Sequence, residues 1–327
     1  MDGRNKSGHD ESKEWIKSSW TRRTALAALA LLLWPLLGRA EILRDQHMPS
    51  PALGRDLSYD LYLPPDASRL AGMPVIYLLH GTDSDGADWL DKGDLAATAD
   101  RLIAAGTMPQ AVIVMPDAAN SWYVDSPAPA GIGAMGTAIG RDLPAWIEAH
   151  YKVSRAREGR AVAGTSMGGF GALRYALTEP DRYAAAAVMS GALWTFLKPD
   201  TPVQGKFADA TARIFQGAFG DPFRPSLFIA ESPLTAARDF PASALRPAFL
   251  MICGRNEMFH MREEQEDAQR ILAAADIPVE TALTGGDHDW DNWRTMLPRV
   301  LAFLGSHLKP GAAPVTAGHM VTVKSHS

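Results

Sequence analysis

The sequence predicts an α/β fold in which helices flank a mainly parallel central sheet. Short apolar runs alternate with segments of helical spacing along most of the 327 residues, and repeated strand-then-helix order is typical of one α/β domain. Hydrophobic residues make up 46% of the chain, so it can bury a sizeable core. No internal repeat of solenoid or propeller period is visible in the sequence. A single domain is therefore expected over residues 41–308.

The predicted strands are short and mostly apolar. The alternating run RDLSYDLYLP, residues 55–64, predicts a half-buried early strand. MPVIYLLHG and PQAVIVMPD are continuous apolar runs, as expected of parallel strands covered on both faces. Further strands are predicted at residues 160–164 and in AAAAVMSG, AFLMICG and VETALTGG. Helices are predicted in LDKGDLAATADRLIAAG, around residues 141–151, directly after Ser166, and in EEQEDAQRILAAA and WRTMLPRVLAFLGSHL.

The first 40 residues have the layout of an export signal behind a polar leader. TRRTALAALALLLWPLLGRAE, residues 21–41, combines paired arginines, an apolar run and the small residues Gly38 and Ala40. The apolar run is shorter than the about 20 residues that span a bilayer comfortably. Its Thr-Arg-Arg-Thr-Ala-Leu order resembles a bacterial twin-arginine signal; an ordinary secretory signal and retention as an anchor stay open. The sequence thus predicts an exported protein, periplasmic or secreted, with a loose tail over residues 309–327.

Charge and composition exclude several classes of partner. Cleavage after Ala40 would leave 25 basic and 33 acidic residues, a net charge of −8, so neither nucleic acid nor an anionic membrane surface is an expected partner. Cys253 is the only cysteine, so no internal disulfide can form. The sequence has no metal-ligand spacing and no dinucleotide fingerprint, so no metal and no cofactor is expected. The oligomeric state stays open.

One long connection interrupts the alternation of predicted strands and helices. Residues 191–246 contain prolines, glycines and scattered aromatic residues. A connection of this length inside a compact domain is usually a functional insertion or a lid. The alternative is a packed surface excursion whose aromatic residues seal only its own small core.

A single serine stands among small residues in AVAGTSMGGFGALRYAL. Gly164, Ser166 and Gly168 match the pattern G-x-S-x-G at the junction of a predicted strand and a predicted helix, which is the setting of a nucleophile elbow. The turn there is so tight that only glycine leaves room for the neighbouring chain. The amides at the helix start would face any negative charge that forms nearby. Ser166 is therefore predicted to be a nucleophile.

A nucleophilic serine needs a base and a group that orients the base. His288 stands in TGGDHDWDNW, after the last predicted strand, where open α/β sheets assemble their sites; His260 is the remaining alternative. Glu257, just past the strand AFLMICG, lies between serine and histidine in chain order, as this arrangement requires. Three rival carboxylates are expected to cap helices and to make hydrogen bonds within loops instead: Asp287, Asp289 and Asp291.

An oxyanion hole needs two backbone donors. The amide of Met167, directly after the nucleophile, is one candidate, and the amide of Thr82 in LLHGTDSDGADW is the second. Gly81 lets that chain turn, and His80 is expected to be a structural hydrogen-bonding residue rather than a base. Three aromatic residues follow strand ends and are expected either to line the substrate site or to anchor the packing: Trp89, Trp122 and Tyr123.

Five segments together resemble the putative-esterase family of α/β-hydrolases: YLLHGTDSDGADW, VIVMPDAANSWYVDS, AVAGTSMGGFGALRYAL, ICGRNEMF and TGGDHDWDNW. This family includes S-formylglutathione hydrolase, feruloyl and acetylxylan esterases, and the antigen 85 mycolyltransferases. The resemblance runs over residues 55–308. It implies an α/β-hydrolase fold with Ser166 as nucleophile, His288 as base and Glu257 as acid, and oxyanion amides at Met167 and Thr82. Many relatives carry aspartate at the acid position, whereas this chain, like antigen 85, has glutamate.

The function expected from the sequence is that of an exported serine esterase. It would hydrolyse small-molecule or carbohydrate-linked carboxylic esters through an acyl-enzyme. Because cytosolic S-formylglutathione hydrolases lack an export signal, that activity is not the expected one. Two alternatives stay open: an exported acyltransferase that uses the same residues, and a hydrolase-fold binding protein without turnover.

Overall fold

The fold is built on one eight-stranded sheet, seen in a computed structural model that describes residues 39–127, 131–257 and 260–311. The predicted leader and signal up to residue 38, and the tail beyond residue 311, lie outside the described residues. The strands are β1 (Glu41–Ser50), β2 (Arg55–Leu63), β3 (Val75–Leu79), β4 (Val112–Pro116), β5 (Arg160–Thr165), β6 (Ala185–Met189), β7 (Ala248–Gly254) and β8 (Val279–Thr284).

Eight helices of six or more residues accompany the strands within the described ranges. They are α1 (Leu95–Ala104), α2 (Leu143–His150), α3 (Met167–Thr178), α4 (Gly205–Phe215), α5 (Pro225–Glu231), α6 (Pro233–Arg238), α7 (Met261–Ala274) and α8 (Trp290–His307). Shorter turns of helix occur at Asp88–Asp91, Met135–Thr137, Ala138–Asp142 and Arg157–Gly159.

The sheet has the order β1-β2-β4-β3-β5-β6-β7-β8. The pairs β1·β2 and β2·β4 are antiparallel, and all other neighbours are parallel. One face packs against α2, α3, α7 and residues 191–246, and the other packs against α1 and α8. Consecutive residues of β3, such as Val75 and Ile76, enter opposite cores. Burial on both faces explains why β3 and β4 read as unbroken apolar runs, and the predicted fold class is confirmed.

Two strands at one edge differ from the expectation. β2 was expected to be half-buried, yet its residues 59–62 are buried on both faces. Tyr62 enters the opposite core, and its hydroxyl donates to Asp100 at 2.7 Å. β1 was not predicted, because its sequence EILRDQHMPS is largely polar and exposed. A register shift between Leu43 and Gln46, with Asp45 at φ 51°, breaks the alternation that would have revealed it.

Residues 191–246 form a layer of helices and packed aromatic side chains. Helices α4, α5 and α6 lie in this segment. Phe215 lies 4.8 Å from Trp122 and 4.4 Å from Phe223, measured between ring centroids, and Phe219 lies 4.9 Å from Phe228. Aromatic pairs at these separations contribute about 0.5–1.5 kcal/mol each beyond burial. The segment therefore has a core of its own that is continuous with the core under the sheet.

Within the described ranges, no helix has the length and apolar character needed to span a membrane.

Candidate active site

Ser166 stands at the sharp turn between β5 and α3. Its backbone has φ 54° and ψ −117°, a conformation that costs a residue with a side chain about 1–3 kcal/mol. Hydrogen bonds on both sides hold it there: its amide donates to the Met189 carbonyl at 3.0 Å, and its carbonyl accepts from the Ala192 amide at 3.1 Å. The serine is therefore held by backbone contacts to the end of β6 and to the residues after it.

The glycines that flank Ser166 are required by close backbone approach. A Cβ on Gly164 would lie 2.3 Å from the Gly168 carbonyl oxygen, and a Cβ on Gly168 would lie 2.3 Å from the Leu79 carbonyl oxygen. Neither backbone atom can move away without moving β3 or α3. This close approach of backbone atoms is the reason why the G-x-S-x-G pattern has glycine on both sides of the serine at this turn.

Ser166, His288 and Glu257 form one hydrogen-bonded line. His288 Nε2 lies 3.0 Å from Ser166 Oγ, and His288 Nδ1 lies 2.8 Å from Glu257 Oε2. The Glu257 side chain is fully buried, whereas the His288 side chain keeps 14% of its surface exposed. The three residues singled out in the sequence thus meet, although 122 positions separate serine from histidine.

Two residues that the sequence analysis missed support the carboxylate. Ser190 Oγ donates to Glu257 Oε1, which also accepts from the Gly254 amide at 2.8 Å. The indole N–H of Trp293 donates to Ser190 Oγ at 3.2 Å. Ser190 is the first residue past β6, at the same carboxyl edge of the sheet as the other site residues. That position was the signal that could have identified it.

The rival side chains have other partners. Asp289 caps α8 by accepting from the Asn292 amide at 2.9 Å, and Asp287 accepts from the backbone amide of His288 at 2.8 Å. Asp291 pairs with Arg294 at 2.6 Å. The His260 side chain is 87% exposed at the start of α7.

His80 orients the amide proposed as one oxyanion donor. The Ala118 amide donates to His80 Nε2 at 2.9 Å, so the proton lies on Nδ1, which donates to the Gly81 carbonyl at 2.7 Å. Burial lowers the pKa of His80 and favours this neutral form. In a planar trans peptide the carbonyl and the following N–H point in opposite directions. The hydrogen bond to Gly81 therefore fixes the direction of the Thr82 N–H.

The two amides predicted for the oxyanion hole have no acceptor among the residues that the structure describes. Within the described part of the chain, neither the Thr82 N–H nor the Met167 N–H donates to another group. Met167 begins α3, where the first amides of a helix lack intrahelical partners. Free donors of this kind are able to bind an anion.

A cavity of about 520 Å³ opens onto Ser166 and His288. Trp122 and Thr82 line it from the strand loops, and residues 191–246 contribute Trp194, Phe207 and Ile214. The other two predicted aromatic residues are packing anchors instead. Trp89 is buried against Trp290, at 5.1 Å between ring centroids, and the buried Tyr123 donates from its hydroxyl to the His80 carbonyl at 2.9 Å.

The buried carboxyl group of Glu264, on α7, accepts hydrogen bonds from the backbone beside the cavity. Glu264 is 4% exposed and accepts from the amides of Leu193 and Trp194, both at 2.9 Å. Burial raises the pKa of Glu264 to about 7, although these amide donors oppose the shift. Nothing in the sequence distinguished Glu264 from the other acidic residues of EEQEDAQRILAAA.

No group of three or more His, Cys, Asp or Glu residues is arranged to hold a metal ion among the residues that the structure describes.

Comparison with known proteins gives the family. The model of the putative esterase family matches residues 50–228, so the chain belongs to the putative esterase family. The acetyl esterase of Caldicellulosiruptor saccharolyticus is 23% identical over 240 residues, which cover 71% of this chain and 83% of that relative. The esterase Rv1288 of Mycobacterium tuberculosis is 40% identical over 136 residues, or 39% of this chain and only 27% of the relative's length.

A third relative is named as a transferase. The diacylglycerol acyltransferase/mycolyltransferase Ag85B of Mycolicibacterium smegmatis is 30% identical over 211 residues, 56% of this chain and 61% of that protein. In fold, the chain is similar to a ferulic acid esterase with a TM-score of 0.68 and 22% identity, over 83% of this chain and 100% of that chain. The predictions of this family, of the α/β-hydrolase fold and of a serine carboxylic-ester hydrolase are confirmed. The reaction class is ester hydrolysis or acyl transfer.

Proposed function

We propose that the chain is an exported serine esterase that hydrolyses carboxylic esters through a Ser166–His288–Glu257 triad and a covalent acyl-enzyme. The observation that supports this most is the hydrogen-bonded line of 2.8 Å and 3.0 Å from Glu257 through His288 to Ser166 Oγ. It ends at the cavity, where a substrate can reach the hydroxyl. A serine becomes a useful nucleophile only with a base positioned in this way.

The proposed reaction has two halves. Ser166 Oγ bonds to the acyl carbon while His288 Nε2 takes the hydroxyl proton, and the amides of Thr82 and Met167 bind the oxyanion. The bond to the leaving oxygen then breaks as His288 gives that oxygen the proton. In the second half, water bonds to the acyl carbon and passes a proton to His288, which returns it to Ser166 Oγ as the acid departs. Glu257 keeps Nδ1 protonated throughout.

The decisive experiment compares p-nitrophenyl acetate turnover by the wild-type protein and Ser166→Ala. We expect kcat to fall by at least about 10⁴-fold in the variant, and the quenched wild-type protein to carry one acetyl group on Ser166 by mass spectrometry. Ser232→Ala is the matched control, because that buried serine caps α6 and does not line the cavity. Turnover that persists in Ser166→Ala would reject the nucleophile assignment, and no turnover by the wild type would favour the binding-protein alternative.

Acyl transfer is the second candidate function. The similarity to Ag85B favours it, and an alcohol that replaces water in the second half of the reaction would produce a new ester with the same residues. Adding a short alcohol to the assay tests this directly. Transfer predicts a new ester that accumulates at the expense of free acid, whereas an unchanged yield of acid supports hydrolysis alone.

Export is proposed from residues 21–41 alone. Their paired arginines, apolar run and small residues support a twin-arginine route. Replacing Arg22 and Arg23 by lysine should retain the protein in the cytoplasm of a bacterial host if that route is used. Periplasmic recovery of the doubly substituted protein would instead favour an ordinary secretory signal.

A further inference from the structure

We propose that the cavity beside Ser166 holds the acyl part of the ester and selects uncharged, apolar acyl groups much larger than acetyl. This inference rests on the proposed esterase function and adds the class of acid that the site takes. Its basis is the size, the chemistry and the shape of the cavity.

The cavity is too large for a small acyl group. Its volume of about 520 Å³ falls in the range of about 300–1,000 Å³ that is typical of sites for drug-sized ligands. An acetyl group, with three heavy atoms, would leave most of this space without contacts. Apolar surface that meets no ligand contributes nothing to binding, so a larger acyl group gains free energy for each methylene group that it buries.

The wall of the cavity is suited to hydrocarbon. Its apolar members include Trp122, Trp194, Phe207, Ile214 and Met261. Among the described residues that line it, none is Lys or Arg, so an acyl group bearing a carboxylate would find no Lys or Arg side chain to pair with there.

The one carboxyl group in the wall already has partners. Glu264 accepts from the amides of Leu193 and Trp194 and is directed by them toward the backbone. A sugar would therefore bury hydroxyl groups with few partners, at about 1–3 kcal/mol for each unsatisfied group. The wall chemistry favours an apolar occupant over a carbohydrate or a dicarboxylic acid.

The shape of the cavity indicates which side of the ester it takes. Among the lining residues, the 1% exposed Trp122 defines the enclosed end of the cavity. Phe196, 60% exposed, and the His260 side chain, 87% exposed, define the open end, here called the rim. In the proposed reaction the alcohol leaves first, while the acyl group stays bonded to Ser166. The group that stays can occupy the enclosed end, and the group that leaves needs the open one. An exposed aromatic residue at the rim also extends the apolar surface for acyl groups longer than the cavity.

The test varies the two sides of the ester separately. One series holds p-nitrophenol constant and lengthens the acid from acetate through butyrate and hexanoate to octanoate. The other holds acetate constant and lengthens a primary alcohol from ethanol to octanol. We expect kcat/KM to rise about fourfold per methylene in the acyl series until the cavity is filled, and by less than about twofold per methylene in the alcohol series.

Two replacements of alanine by phenylalanine on α4 test whether the preference for long acyl groups arises in the cavity. Ala210 lines the cavity, and Ala210→Phe would fill part of it. The octanoate-to-acetate ratio of kcat/KM should then fall at least about tenfold, since a filled cavity removes more than one methylene of burial. Ala212→Phe is the matched control, because Ala212 is exposed on the same helix and does not line the cavity. The control should keep the wild-type ratio.

The outcomes separate this inference from the function on which it rests. Ser166-dependent hydrolysis of acetate with a flat or falling acyl series would overturn the inference and leave the esterase intact. A steep alcohol series with a flat acyl series would overturn it too, by assigning the cavity to the alcohol. No Ser166-dependent turnover of any ester would reject the proposed function and the inference together.

Discussion

The two walls that enclose the Ser166 hydroxyl are built in different ways. The sheet-side wall depends on backbone geometry, since Ser166 has φ 54° and a Cβ on Gly168 would lie 2.3 Å from the Leu79 carbonyl. The wall made by residues 191–246 depends on side chains, with Phe207 and Ile214 presented by α4. The difference teaches that the proposed nucleophile is fixed by contacts that tolerate no added atom. The shape of the cavity, in contrast, is set by side chains that can be exchanged.

The walls meet at residues 190–195. Ser190 supports Glu257 on the sheet side, and the Ala192 amide donates to the Ser166 carbonyl at 3.1 Å. Glu264 then binds the amides of Leu193 and Trp194. Substitutions in the sheet-side wall are expected to have the largest effect on catalysis, those in its supporting residues a smaller one, and those at this junction the smallest.

The largest effect is expected from Gly168→Ala. The added methyl group would overlap the Leu79 and His80 carbonyl oxygens, at 2.3 Å and 2.7 Å from its carbon, and would displace the turn that carries Ser166. We expect kcat to fall at least about 100-fold, as is typical of a misplacement near 1 Å, and the free energy of unfolding to fall by about 1–3 kcal/mol. Ester turnover and urea unfolding measure the two effects.

Gly285→Ala is the control for that substitution. A Cβ on Gly285 meets no heavy atom within 4 Å, and its φ is not positive. It should behave like the wild type in both measurements. Equal losses of turnover and of stability in Gly168→Ala and Gly285→Ala would show that close backbone contact at Gly168 is not the cause.

A smaller effect is expected from Ser190→Ala. The change removes one hydrogen-bond donor from the buried Glu257 carboxylate, and hydrogen bonds to charged groups contribute about 1.5–3 kcal/mol. We expect kcat/KM to fall about 10- to 100-fold, with most of the loss in kcat, because Ser190 does not line the cavity. A change confined to KM would contradict a role through Glu257. Ser232→Ala again provides a buried serine without such a role.

The smallest effect on catalysis is expected at the junction, where the predicted change is one of stability and depends on pH. Because burial raises the pKa of Glu264 to about 7 from the ordinary value near 4.5, the folded chain binds more protons than the unfolded chain between those pH values. Its free energy of unfolding should therefore decrease as pH rises from about 4.5 to about 7, by about 3 kcal/mol at most. Asp267 adds to the rise in pKa, and His260 lines the same cavity.

Glu264→Gln should remove this part of the pH dependence. The glutamine oxygen can still accept from the Leu193 and Trp194 amides, and its side chain does not ionise. Urea unfolding at pH 5 and pH 8 gives the difference for each protein, and the wild-type difference should be the larger. Identical differences in the two proteins would show that Glu264 ionises at its ordinary pKa.

The sequence pattern was sufficient to predict the parallel part of the sheet and the residues that meet at its edge. Strands β3 to β7 are short and apolar, and Ser166, Glu257 and His288 each follow the end of a strand. Parallel strands bring their carboxyl ends together, so side chains far apart in the chain are predicted to meet. The role of each side chain remains a proposal.

Other features depend on contacts that periodicity does not encode. β1 is a polar edge strand whose alternation is broken by a bulge. Trp89 and Tyr123 follow strand ends as Trp122 does, yet only Trp122 reaches the cavity, because the direction of a side chain in a loop depends on tertiary packing. Glu264 resembles a surface residue of an acidic helix until residues 193 and 194 are packed against it.

The hydrogen bond between the Ala192 amide and the Ser166 carbonyl has a consequence for protein engineering. It makes the first residues after β6 part of the catalytic half of the molecule, although they begin the inserted segment. A chimera that exchanges this segment between esterases should therefore retain residues 190–195 of the host and receive donor sequence only from residue 196 onward. The donor sequence should end before Ala248, whose amide resumes the sheet by donating to the Ala184 carbonyl at 2.9 Å. Within those junctions the exchanged segment carries its own share of the cavity wall: Phe196, Phe207, Ala210 and Ile214.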